Sequence, residues 1–124
     1  MYRLYAYPDS SDLYDLEGEL LRAFQNFTSS WPVDGVLLTN KKAPLMDGQD
    51  IPDWNLGLRV EATELSRENL EQLLLFVSEL SRRVNLPFVL GSWARPIGTR
   101  DLCVVDGHVP DGAAGVILEG AHAP

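Results

Sequence analysis

This 124-residue sequence is short of the residues that most catalytic and metal chemistry uses, with one cysteine, Cys103, and two histidines. A lone cysteine excludes an intrachain disulfide and a thiolate zinc cluster. Ten lysines and arginines stand against eighteen aspartates and glutamates, a net charge of -8. That balance opposes adhesion to phosphate backbones and acidic lipid, so neither nucleic acid nor membrane is an expected partner. No apolar run approaches the roughly 18 residues of a membrane-spanning helix, and Met1-Tyr2-Arg3-Leu4-Tyr5 lacks the apolar stretch of a secretory leader. A soluble, cytoplasmic protein is expected.

Ligand-binding motifs are missing as well. Gly107, Gly112 and Gly115 lie between expected β segments and precede no amphipathic helix, which excludes a dinucleotide or Walker loop. Asp47-Gly48-Gln49-Asp50 and Asp53 have the composition of a calcium loop but neither its order of acids nor its twelfth-position acid, so a solvated turn is expected. Cys103, Asp106 and His108 form the one local set that could pair a nucleophile with a base. An Asp106-Gly107 turn separates His108 from the strand, and Cys103 is expected to be a small buried apolar residue. No catalytic residue, metal or cofactor is expected, and the chain is read as a non-enzyme.

What the sequence does contain is an order of patterns. With 45% hydrophobic residues it has apolar material for one two-layer domain, taken as residues 1–120 with a frayed tail at 121–124. Tyr2 to Tyr7 alternates as a strand with one buried face. From the Asp9-Ser10-Ser11-Asp12 cap region to about Trp31, Leu13, Leu16, Leu20, Phe24 and Phe27 recur at helical spacing. On that helix Asp12, Asp15, Glu19, Arg22 and Asn26 take the opposite face. Val33 to Thr39 and Trp54 to Ala62 read as strands, joined by a long polar loop from Asn40 to Asp53.

The second helix, from Ser66 to Val84, has both ends marked, by Ser66 and Glu68 at one and by Arg82, Arg83, Asn85 and Pro87 at the other. Leu75 and Phe76 project away from its core stripe and are either covered by another segment or open to a partner. Phe88 to Trp93, Asp101 to Val105 and Gly115 to Glu119 read as further β segments. The expected fold is α+β, a ferredoxin-like βαββαβ sandwich. Its antiparallel sheet carries two helices on one face and one or two extra C-terminal strands.

Two surfaces are candidates for function. Asp12, Asp15 and Glu19, with Asp47, Asp50 and Asp53 of the long loop, form an acidic surface suited to steering a basic protein, with Tyr14 as an aromatic anchor. Trp93, Arg95 and Arg100 could hold a carboxylate or phosphate at a strand end, or could simply pair across a hairpin. In size, charge and missing motifs the whole chain resembles the small acidic immunity proteins with which bacteria neutralise toxins. That resemblance implies a non-catalytic inhibitor that occludes a basic toxin's active site. The alternatives are a regulatory or scaffold domain exposing Leu75 and Phe76, and a small-molecule binder or cofactor-independent enzyme. The last would have a pocket between sheet and helices near Trp93, Arg95 and His108 and would form a homodimer through an exposed sheet face.

Overall fold

Five segments of alternating character form strands in a computed structural model that describes residues 1–10, 12–42, 47–48, 54–94 and 98–122. They are β1 (Tyr2–Pro8), β2 (Val36–Lys42), β3 (Trp54–Ala62), β4 (Phe88–Ala94) and β5 (Gly98–Val105). Three helices, α1 (Glu17–Ser30), α2 (Arg67–Val84) and α3 (Ala113–Ala121), complete an α+β architecture. The strands build one five-stranded sheet in the order β2-β3-β1-β4-β5, each neighbouring pair antiparallel. β1 is the middle strand, with Ala6 opposite Leu58 on one side and Leu90 on the other.

Alternation then sorts each strand between two faces. Leu4, Ala6, Leu58, Val60 and Leu90 share one buried cluster with Phe24 of α1, Leu73 and Val77 of α2 and Ile117 of α3, so all three helices cover the same face. Burying each such large side chain contributes on the order of 1.5–3 kcal/mol. Phe76, which leaves the α2 stripe, is covered by α1: its ring stacks on Phe27 at 4.3 Å and meets Phe24 edge-on. Trp31 and Trp54 close the ends of the core, both buried.

The ends of α2 follow from the residues that mark them. Ser66 Oγ accepts the Asn69 backbone N–H at 3.0 Å, and Asn85 takes the left-handed conformation that stops the helix. α1 begins at Glu17, without a side-chain cap and at least four residues later than the run of possible caps suggests. Leu13 is fully buried and its carbonyl accepts the Leu16 N–H, so the chain makes a turn there before helix starts. Asp12 and Asp15 therefore precede the helix, and only Glu19 of the three expected face acids lies on it. β2 starts at Val36 and extends through Lys42, taking Asn40 to Lys42 out of the expected loop.

The C-terminal segment departs furthest from expectation. Residues Gly115 to Glu119 are helical, so the sheet gains one extra strand, β5, and not two. Ala113, Ile117 and Ala121 are buried at intervals of four, a helical spacing, and outweigh the β preference of Val116 and Ile117. Gly120 lets α3 close on β5: a Cβ there would sit 2.6 Å from Leu102 Cδ2. Ala121 is buried and His122 bridges to Tyr2, so the expected fraying does not reach these two residues.

A clamp at the end of α2 directs the chain into α3. Ser81, buried, donates from Oγ to the Leu86 carbonyl at 2.6 Å and accepts the Gly107 N–H at 3.0 Å. Arg82 Nη1 donates to the Gly107 carbonyl at 2.6 Å. Ser81→Ala would leave two backbone groups without partners, and a loss of about 2 kcal/mol is expected in urea unfolding, with faster amide exchange in α3. Ser78→Ala is the control: this serine is equally buried but bonds only to Leu75 of its own helix. Its change should cost much less.

Candidate functional site

The sheet face away from the helices is where polar chemistry collects. Tyr5 and Tyr7 point to it from the middle strand and are buried there, 3% and 8% exposed, although no helix among the described residues lies above them. Their rings stack on each other at 5.2 Å. Both lie flat because a glycine is beside each. A Cβ at Gly91 of β4 would stand 2.6 Å from Tyr5 Cζ, and one at Gly57 of β3 would stand 2.8 Å from Tyr7 Cδ1.

The two phenols are fixed in opposite senses. Tyr5 Oη donates to Asp101 Oδ1 of β5, reaching across Gly91. Tyr7 Oη accepts from Arg59 Nε of β3 at 2.8 Å. Burial, and then the hydrogen bond to Asp101 and its negative charge, push the Tyr5 phenol far above its ordinary value, so it holds its proton. A pocket of about 440 Å³ opens over this floor, lined by Tyr5, Tyr7, Arg59, Val89, Thr99 and Asp101.

Trp93 lies on the same open face, not in a pocket between sheet and helices. Its ring carries two guanidinium groups, each 5.4 Å from the centroid, but they belong to Arg3 of the neighbouring β1 and Arg59 of β3, one strand further away. Arg100 is exposed on β5, and Arg95 lies outside the described residues. Arg3, Tyr5, Tyr7 and Arg59 are the site residues that sequence reading passed over. Their shared parity on alternating strands was visible, but their convergence depends on the β1–β3 and β1–β4 registers, Tyr5 opposite Arg59 and Gly91.

The acidic surface lies around the start of α1. Asp12, Tyr14 and Asp15 are exposed, Tyr14 at 55%. Tyr14 is nonetheless held: its ring meets Trp54 edge-on at 5.0 Å, and Lys42 Nζ lies 4.7 Å above it and 4.1 Å above Trp54. Trp54 Nε1 donates to Asn40 Oδ1 and Asn40 Nδ2 donates to Glu17 Oε2, both at 2.7 Å, tying α1 to the ends of β2 and β3. Glu19 pairs with Arg83 at 3.1 Å, so its charge is partly spent within the chain. Asp47 is exposed, and Asp50 and Asp53 lie outside the described residues.

The other residue sets considered do not come together. Cys103 packs partly buried against the core, and burial raises its thiol pKa. His108 Nδ1 faces the Asp106 carbonyl at 3.2 Å, with no contact to Cys103. His108 follows β5 at the end that pairs with Phe88, opposite the Trp93 end of β4, and is next to the Gly107 clamp at the end of α2. Among the described residues no three His, Cys, Asp or Glu side chains group as metal ligands, and no helix is long and apolar enough to cross a membrane. Leu75 stays exposed beside a groove of about 380 Å³ between α2 and the start of α3. Compared with protein-family models, curated proteins and solved structures, the chain has no significant match.

The proton on Tyr5 sets a pH dependence. The unfolded phenol ionises near pH 10 while the folded one does not, so the unfolded state loses its proton first and stability falls as pH rises above about 10. Cys103, shifted in the same direction, adds to the fall, and Tyr5→Phe isolates the tyrosine part. Urea unfolding at about pH 9 and about pH 11 should show a smaller loss in Tyr5→Phe than in the native chain. Equal losses would mean that burial and the Asp101 contact do not hold the proton on Tyr5.

Proposed function

We propose that this chain is a non-enzymatic protein-binding module that engages a basic partner through the connection between β1 and α1, as an immunity protein does when it covers a toxin's active site. The observation that carries this reading is Tyr14, more than half exposed yet braced by Trp54 and Lys42, between the exposed carboxylates of Asp12 and Asp15. An aromatic side chain fixed before binding loses little entropy when a partner covers it, which is how interface anchors gain their energy. Neither flanking carboxylate has an ion pair among the described residues. Both charges are therefore available to steer and pair with lysine or arginine. The acids inside α1 contribute less, because Glu17 holds Asn40 and Glu19 holds Arg83.

The scaffold in this proposal is the ferredoxin-like β-α-β-β-α-β plan with β5 and α3 appended. Its support is the order β2-β3-β1-β4, with α1 connecting β1 to β2 and α2 connecting β3 to β4. A cytoplasmic module of this kind acts by occlusion, so it has no turnover and its binding weakens with salt.

The test is capture from the source lysate at low and then high salt, followed by titration of the purified partner. One basic protein should bind stoichiometrically, be lost with Asp12→Lys plus Asp15→Lys, and bind at least about 30-fold more weakly to Tyr14→Ala. Binding that ignores both changes would remove the reading.

A further inference from the structure

The two guanidinium groups on Trp93 are not equivalent. Arg3 Nε meets Glu61 Oε2 at 3.0 Å, so its charge is matched. Arg59 has no carboxylate partner among the described residues; its Nε donates to a neutral phenol, Tyr7, and its face lies on Trp93. Its two terminal NH2 groups have no protein acceptor among the described residues. A partly buried guanidinium held on two sides and lacking a counterion is costly to maintain in the empty protein, and it is already arranged for a forked contact with an oxyanion.

We propose that Arg59 anchors a small organic monocarboxylate in the pocket over the open sheet face. Tyr7 supplies the second donor: its oxygen is taken by Arg59 Nε, which leaves its own proton to give. The stacked rings of Tyr5 and Tyr7, with Val89, form an apolar floor for the body of the acid, and about 440 Å³ is in the range that small ligands fill. Asp101 and Asp9 also line the pocket. Tyr5 already donates to one oxygen of Asp101, and two carboxylates lining the pocket oppose a dianion more strongly than a monoanion. A single negative charge suits this site, and a phosphate does not. The pocket adjoins the β1–α1 connection, since Asp9, Ser10 and Trp54 line it, but its anchoring groups are Arg59 and Tyr7 and not Tyr14, so variants at Arg59 and at Tyr14 tell the two readings apart.

The experiment is a titration of the full chain with benzoate, inorganic phosphate and the cation agmatine, followed at the Arg59 Nε–H resonance and by tryptophan fluorescence. Benzoate should give a saturable shift of the Arg59 resonance, phosphate a weaker one and agmatine none. Arg59→Gln should abolish benzoate binding, and Arg59→Lys should weaken it at least about tenfold, since lysine lacks the planar fork. Tyr7→Phe, which changes little in volume, should weaken binding and tests the second donor if an Arg59 variant folds poorly. Absence of a saturable benzoate shift in the native chain would overturn the proposal. Phosphate binding as tight as benzoate, or agmatine binding tighter than either, would overturn it too, the latter assigning the pocket to Asp9 and Asp101.

Discussion

Strand β1 sits between two antiparallel neighbours and has to satisfy two unlike environments at once, and the rest of the structure depends on that constraint. Its even residues Leu4 and Ala6 enter the core under three helices, while its odd residues Tyr5 and Tyr7 face the side away from those helices. Large aromatic rings on an open face would ordinarily stand up from the sheet. Here the missing side chains of Gly57 and Gly91 let them lie down, and lying down places their hydroxyls against Arg59 and Asp101. Packing and polar organisation on this face are therefore one arrangement. The same glycines that weaken strands by propensity give the sheet a floor that is apolar in its rings and polar at its margins.

The two surfaces that emerge use different physics. Around the start of α1, charge is exposed and solvated, so its reach is set by the ionic strength of the solution. Over the open sheet face, charge is partly withdrawn from water and fixed by ring contacts and hydrogen bonds, so it acts at short range and on shape. Trp54 lies close to both, bracing Tyr14 on one side and lining the pocket on the other.

How much of this could be read in advance varied with the kind of information involved. β1, β3 and α2 were legible because their periodicity is strong and their ends are chemically marked, as Ser66 and Asn85 mark α2. The start of α1 was not, because Asp9 to Asp12 offers caps the chain does not use, and burial of Leu13 fixes the turn instead. α3 was misread because Val116 and Ile117 between glycines resemble a strand locally, while the deciding facts, the Gly107 clamp and the close approach to Leu102, lie in other elements. At the candidate sites Tyr14 and Trp93 could be named from composition and position. Arg59 could not, since only register brings it beside Tyr7 and over Trp93.

The two rims of the sheet differ in composition but lead to the same outcome. β2, at one rim, ends in the exposed Lys41 and Lys42, and β5, at the other, carries Arg100 and Asp101 and meets β4 through a shift of register next to Gly91. Lysines on a terminal strand oppose close approach of another backbone, and a bulge twists the outer strand away from a straight template. Unpaired amides along both borders are thus poorly placed to recruit further strands. A sheet with an open aromatic face can in this way remain available to specific ligands without inviting the growth of cross-β aggregates.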